Sequence, residues 1–145
     1  MLSVVVPVYN EAENVAAVAQ ALSDALGDIP YELLFVDDGS ADATYARVLD
    51  ASRADARVRG VSFSRNFGKE AAIYAGLAEC RGDCAVLIDG DLQHPPAAIP
   101  QMYALWEQGY QIVEGKKTDR GREGKGHRLF ARLFYGVLTR LTGMP

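Results

Sequence analysis

Short apolar, β-branched runs alternate with helix-like segments along almost the whole chain, and this alternation constrains the fold more than any other feature. Leu2–Val8, Tyr31–Val36, Arg57–Phe63, Cys84–Ile88 and Gln111–Glu114 read as strands. Between them, Glu11–Leu26, a segment capped by Ser40 or Asp42 and running to Ala54, Gly68–Glu79, and Pro95-Pro96 to Gln108 read as helices, and His127–Leu141 reads as a last one. Asn10 is the expected N-cap of the first helix, Gly109 stops the fourth, and the Gly-rich, charged 116–126 segment reads as a mobile loop. The strands are continuous apolar runs, as expected where both faces of a sheet are covered. The pattern predicts an α/β fold, a doubly wound, mostly parallel sheet with helices on both faces.

Composition agrees with a globular chain. Of 145 residues, 49% are hydrophobic and 23% charged, which excludes disordered and fibrous classes. Two cysteines are too few for a disulfide scaffold or a structural zinc site. No apolar run is long enough to span a bilayer, and no basic segment precedes the first strand, so the default expectation is a cytoplasmic location. Charge divides unevenly. Residues 1–115 hold 7 Lys+Arg against 17 Asp+Glu, and residues 116–145 hold 8 against 2, giving −10 and +6. The expected organisation is a core over 1–115 followed by a basic region over 116–145, whose charge either meets an anion or is merely solvated.

In doubly wound sheets, ligands bind beyond the carboxyl ends of the strands. The polar clusters fall there: Tyr9-Asn10-Glu11, Asp37-Asp38-Gly39-Ser40, Ser64-Arg65-Asn66, and Asp89-Gly90-Asp91. Two carboxylates one residue apart at a strand end can converge on a hard divalent cation, and Gln93 can add an oxygen. The alternative is a turn with two solvated acids. His94 reads as a ligand or as a structural hydrogen-bonding group beside the Pro95-Pro96 turn. One of Asp37 and Asp38 can accept a hydrogen bond from a base or a ribose hydroxyl. A helix cap would explain one acid of that pair but not both.

Other nucleotide and hydrolase signatures fail. No Gly-x-Gly-x-x-Gly follows the first strand, and no Gly-x-Ser-x-Gly is present. Gly115-Lys116 suggests a phosphate loop, but Tyr110 and Lys117 stand where glycine and a hydroxyl residue are required. Diphosphate charge would therefore fall to a metal and to basic side chains such as Lys69, Lys117, Arg120, Arg122 and Arg128. The last helix sets two apolar stripes, Leu129-Leu133-Val137-Leu141 and Phe130-Phe134-Leu138, beside a line of Arg128, Arg132 and Arg140. That pattern fits a helix on an anionic membrane surface, or one packed on the sheet with its arginines outward.

Taken together, Val5–Glu11, Asp37–Ser40, Ser64–Lys69 and Asp89–Pro96 resemble the family-2 glycosyltransferases of GT-A fold, in the branch that acts on polyprenyl phosphates. The resemblance implies transfer of a sugar from a UDP- or GDP-sugar to a polyprenyl phosphate, with inversion and with Mg²⁺ or Mn²⁺ as cofactor. It implies a nucleotide site of Pro7, Tyr9, Asn10, Glu11, Asp37, Asp38, Gly39, Ser40, Asn66, Lys69, Asp89, Lys117 and Arg120. Asp91 and Gln93 would hold the metal, and Asp89, Asp91 and Arg128 would carry catalysis. The Lys117–Arg120 loop and Phe134-Tyr135 lean the donor towards UDP-glucose over a GDP-mannose type. The implied partners are the donor, the lipid acceptor and an anionic membrane surface met through residues 125–141, at the cytoplasmic face. No nucleic acid is implied, and a homo-oligomer is left open. Family members continue with an acceptor-side segment and often transmembrane helices, so these residues are expected to form the donor-binding half. A saccharide acceptor, or a nucleotide-holding module without turnover, remains the alternative.

Overall fold

A computed structural model describes residues 1–115. The expected loop over 116–126, the helix over 127–141, and Lys117, Arg120 and Arg128 lie outside the described residues.

Four strands form one sheet: β1 (Leu2–Val8), β2 (Tyr31–Asp37), β3 (Val58–Ser62) and β4 (Cys84–Leu87). All pairings are parallel and the order is β3-β2-β1-β4. β1 and β2 are buried along their whole length, which explains their unbroken apolar sequences. Leu2 pairs with Tyr31 and with Cys84, and Val8 pairs with Asp37. The register therefore brings the acid-tipped ends of β1 and β2 side by side.

Helices cover both faces, as the strand pattern predicts. On one face α1 (Val15–Leu26), α2 (Thr44–Ala54) and α4 (Ile99–Glu107) pack on the sheet. Val15, Val18, Leu22 and Leu26 of α1 meet Val4, Val6, Leu33 and Phe35 there. On the other face α3 (Lys69–Glu79) lies over Val5, Leu34 and Val36 through Ala72. Gly76 makes that approach close: a Cβ there would sit 2.3 Å from Val5 Cγ1.

Two local expectations need correction. The first helix begins at Val15 rather than Glu11, and Asn10 is not its cap. Asn10 adopts φ 53°, and its Oδ1 instead accepts the N–H of Ala41 at 2.9 Å. Asparagine tolerates this left-handed backbone, so a tertiary contact overrides its capping preference. The second concerns Gln111–Glu114, which form no strand in the described residues. Ile112 is 82% exposed. β-propensity alone cannot hold a strand without a partner for its backbone.

The order β3-β2-β1-β4 fixes where a ligand can bind. After β3 the chain crosses back over β1 to form β4 on its far side. The strand order reverses between β1 and β4, which are neighbours in the sheet but not in the chain, and such a switch point sets a ligand crevice at their carboxyl ends.

Candidate functional site

A pocket occupies that crevice, lined by Pro7, Val8, Tyr9, Glu11, Asp38, Lys69, Ala72, Asp89, Gly90 and Asp91. It joins the ends of β1, β2 and β4 to the start of α3. Four carboxylates and one cation face it, so its lining carries an excess of negative charge.

Each acid is held differently. Asp38 is buried, and its two oxygens accept the N–H groups of Phe67 (2.7 Å) and Gly68 (2.9 Å). This fixes the turn that starts α3, where Gly68 adopts φ 100°. A carboxylate oxygen has two lone pairs, so Asp38 keeps capacity for a ligand donor. Asp89 takes Lys69 Nζ at 2.6 Å. Asp91 Oδ1 accepts the Gln93 N–H at 3.0 Å, which leaves its other oxygen open to solvent.

Glu11 differs from the other three. Its Oε2 is buried and has no hydrogen-bond partner. Burial pushes the carboxyl above its ordinary range; a hydrogen bond with Asn14 opposes the rise, while the charges of Asp91 and Asp89 add to it. Gly90 makes room for this oxygen, since a Cβ on Gly90 would lie 2.6 Å from it and 3.0 Å from Val8 Cγ1. The Glu11 main chain is anchored by its N–H donating to Thr44 Oγ1 at 2.8 Å.

Seven of the sequence-assigned residues thus converge: Pro7, Tyr9, Glu11, Asp38, Lys69, Asp89 and Asp91. The remaining assigned residues of the described region stand around them. Asp37 is buried and is occupied by Ser40 N–H (3.1 Å) and Ser62 Oγ (2.9 Å), so it braces β2 against β3. Asn10 and Ser40 clamp two loops together, with Asn10 N–H donating to Ser40 Oγ at 2.8 Å. Gly39, at φ 69°, lets the Arg65 backbone approach to where a Cβ would be 2.3 Å away. Asn66 and Gln93 are exposed, and neither lines the pocket. The sequence reading missed Thr44, which is fully buried and ties α2 to the Glu11 loop. Its signal was the Asp42-x-Thr44 spacing: Asp42 Oδ1 accepts the Thr44 N–H at 2.9 Å.

Among the described residues, no three His, Cys, Asp or Glu side chains already converge as a metal cage, and no helix is long and apolar enough to cross a membrane.

The sequence model for "Glycosyl transferase family 2" matches residues 3–140. The chain belongs to glycosyl transferase family 2. Within the family, it is 37% identical over 143 residues to the bactoprenol glucosyl transferase of Shigella phage SfV, covering 97% of this chain and 47% of that protein. Glucosyl-3-phosphoglycerate synthase from Mycobacterium tuberculosis, solved with UDP, superimposes with TM-score 0.65 at 29% identity, over 97% of this chain and 50% of that one. A mannosyltransferase from Pyrobaculum calidifontis, solved with GDP-Man and Mn²⁺, gives TM-score 0.65 at 24% identity, over 77% and 33%. The likeness to these structures agrees with the GT-A architecture expected from the sequence. The chain spans about half the length of the curated relatives it matches.

Proposed function

We propose that this chain is the donor-binding half of a glycosyltransferase that moves a sugar from a nucleoside-diphosphate sugar to a polyprenyl phosphate, with inversion. The observation that carries the reading is the meeting, at the switch point of the sheet, of Pro7, Tyr9, Glu11 and Asp38 with Asp89, Asp91 and Lys69. The bactoprenol relative supports a lipid-carrier acceptor, and the neighbours solved with UDP and GDP-Man support a sugar-nucleotide donor.

In this reading Tyr9 and Pro7 border the base, while Asp38 and Glu11 accept hydrogen bonds from base or ribose. The all-oxygen donor set beside the diphosphate position suits a hard divalent cation, Mg²⁺ or Mn²⁺. The open oxygen of Asp91 in that pocket fits the assignment. Asp91 would hold the ion, while Gln93, assigned to it on the sequence, stands outside the pocket. When bound, the ion supplies charge neutralisation to the leaving diphosphate. A phosphate acceptor is already an anion at neutral pH, so no strong general base is needed. Catalysis then rests on placement, to which Asp89 and Asp91 contribute by positioning the donor and its ion, and on stabilisation of the developing diphosphate charge by basic side chains, for which the sequence offers Lys117, Arg120 and Arg128. The +6 region over 116–145 would face phosphates and the anionic lipid surface, at the cytoplasmic side of the membrane.

Calorimetry with UDP in the presence of Mn²⁺ tests the site. Asp91→Ala is expected to remove the metal-dependent part of UDP binding, and unchanged binding would overturn the metal assignment. Transfer from UDP-glucose by the full-length protein tests the acceptor. Product on polyprenyl phosphate in vesicles supports the proposal, and product only on a water-soluble saccharide overturns it.

A further inference from the structure

Lys69 is the only basic residue lining the pocket in the described region. It is also the first residue of α3, at the end where the helix dipole is positive and a cation is disfavoured. Its ammonium does not turn away to solvent. Nζ reaches across to Asp89 Oδ1 at 2.6 Å and links α3 to the loop after β4. An ion pair this exposed, with side chains 54% and 36% accessible, adds little to stability. Fold stability therefore does not explain a cation held at an unfavourable helix end.

We propose that Lys69 is the resident counter-ion of the donor site. It occupies Asp89 in the ligand-free protein, excludes a divalent cation from the acidic cluster, and releases Asp89 only when a diphosphate offers Nζ another anion. This inference rests on the reading of the pocket as a metal-dependent nucleotide site.

The physical reason is charge accounting within one small volume. Four carboxylates face the pocket, so a bare divalent cation would be drawn to it without nucleotide. With Lys69 on Asp89, an arriving cation meets a fixed positive charge and one carboxylate already engaged. A nucleoside diphosphate brings negative charge that accepts both the cation and Nζ. Metal and nucleotide then bind better together than apart, and by linkage each raises the affinity for the other equally. The lysine stem is long and flexible, so Nζ can change partner without movement of α3.

The test is the binding of Mn²⁺ alone, measured by calorimetry or electron paramagnetic resonance at low salt on the full chain. Lys69→Met is expected to bind Mn²⁺ without nucleotide roughly tenfold more tightly than wild type. The same variant is expected to bind UDP at saturating Mn²⁺ about tenfold more weakly, so that the coupling between the two ligands collapses. Lys69→Arg, which keeps the charge, should retain weak Mn²⁺ binding. Lys69→Gln provides a second neutral variant if Lys69→Met melts early. Mn²⁺ affinity equal to or weaker than wild type, in a neutral variant with wild-type melting, overturns the proposal and leaves the donor-site reading standing. A wild-type chain that binds no UDP at saturating Mn²⁺ overturns the donor-site reading itself.

Discussion

At the amino ends of the strands Glu32 is buried and fully partnered. Its Oε1 accepts Ser3 Oγ at 2.6 Å and the Arg81 N–H, and its Oε2 accepts Arg59 Nη1 at 2.8 Å. Ser3 Oγ in turn accepts the Gly82 N–H at 2.9 Å, so the network ties β1, β2, β3 and the α3–β4 turn together. At the carboxyl ends Glu11 is also drawn inward, yet its Oε2 has no partner. The two glutamates shift in opposite directions. Burial raises Glu32, but hydrogen bonds from Ser3, Arg81 and Arg59 outweigh it and hold the carboxyl below its ordinary range. For Glu11 burial prevails and the carboxyl rises. One end of the sheet is built for stability, and the other leaves an acceptor waiting for a ligand.

The contrast can be broken at either end. The largest effect is expected from Glu32→Ala, which strips the partner from Arg59, Ser3 and the Arg81 N–H at once. Urea denaturation should show a loss of about 3 kcal/mol, softened from a fully buried pair by the neighbouring Glu79. UDP binding at the far end of the sheet should be unchanged in protein that remains folded. A loss under about 1 kcal/mol would mean that the amino-end network is not holding the strands.

Gly90→Ala comes next. Its Cβ would meet Glu11 Oε2 and Val8 Cγ1, so Glu11 must shift. UDP binding should weaken about tenfold, roughly 1.4 kcal/mol. The melting temperature should fall only slightly, because the flexible Glu11 end can give way. Equal affinity in calorimetry would show that the Glu11 position does not matter to the ligand.

Smaller still is Glu11→Gln. Replacing an unsatisfied buried carboxylate should raise stability at pH 7 by on the order of 1 kcal/mol while weakening nucleotide binding. The pH dependence gives the sign. Glu11 has a folded value raised above the ordinary 4.5, so its favourable contribution is present below 4.5 and lost as pH rises through the folded value. The gain from Glu11→Gln should therefore fade on acidification. Glu32 behaves oppositely, since its value is lowered from 4.5: its contribution is present above 4.5 and lost as pH falls through the folded value. Urea midpoints for Glu32→Gln and wild type should converge at low pH, and those for Glu11→Gln and wild type should converge there too, from the other side.

Much of this was legible in the chain. The strands could be read because parallel strands buried on both faces must be apolar throughout, as Val4–Val6 and Leu33–Val36 are. The acids at their ends could be read because nothing in a buried strand calls for Asp38 or Asp89. The start of α1 was not legible. Asn10 has the chemistry of a cap, but its side chain is taken by Ala41, 31 residues away. Gln111–Glu114 misled for a related reason, since an apolar pair of residues carries no record of whether a strand lies beside it.

The sequence by itself determined the α/β class, the acid-tipped strand ends and the family, because all three depend on residue types in a fixed order. Only the tertiary structure decided which acids are structural and which are available. Asp37 and Asp38 are adjacent in the chain, yet one is spent between β2 and β3 while the other lines the pocket. Glu32 and Glu11 are the same residue type, satisfied in one place and orphaned in the other. Partner groups arrive from elements 20 to 49 residues away, as with Lys69 on Asp89 and Arg81 on Glu32, and no local pattern records them.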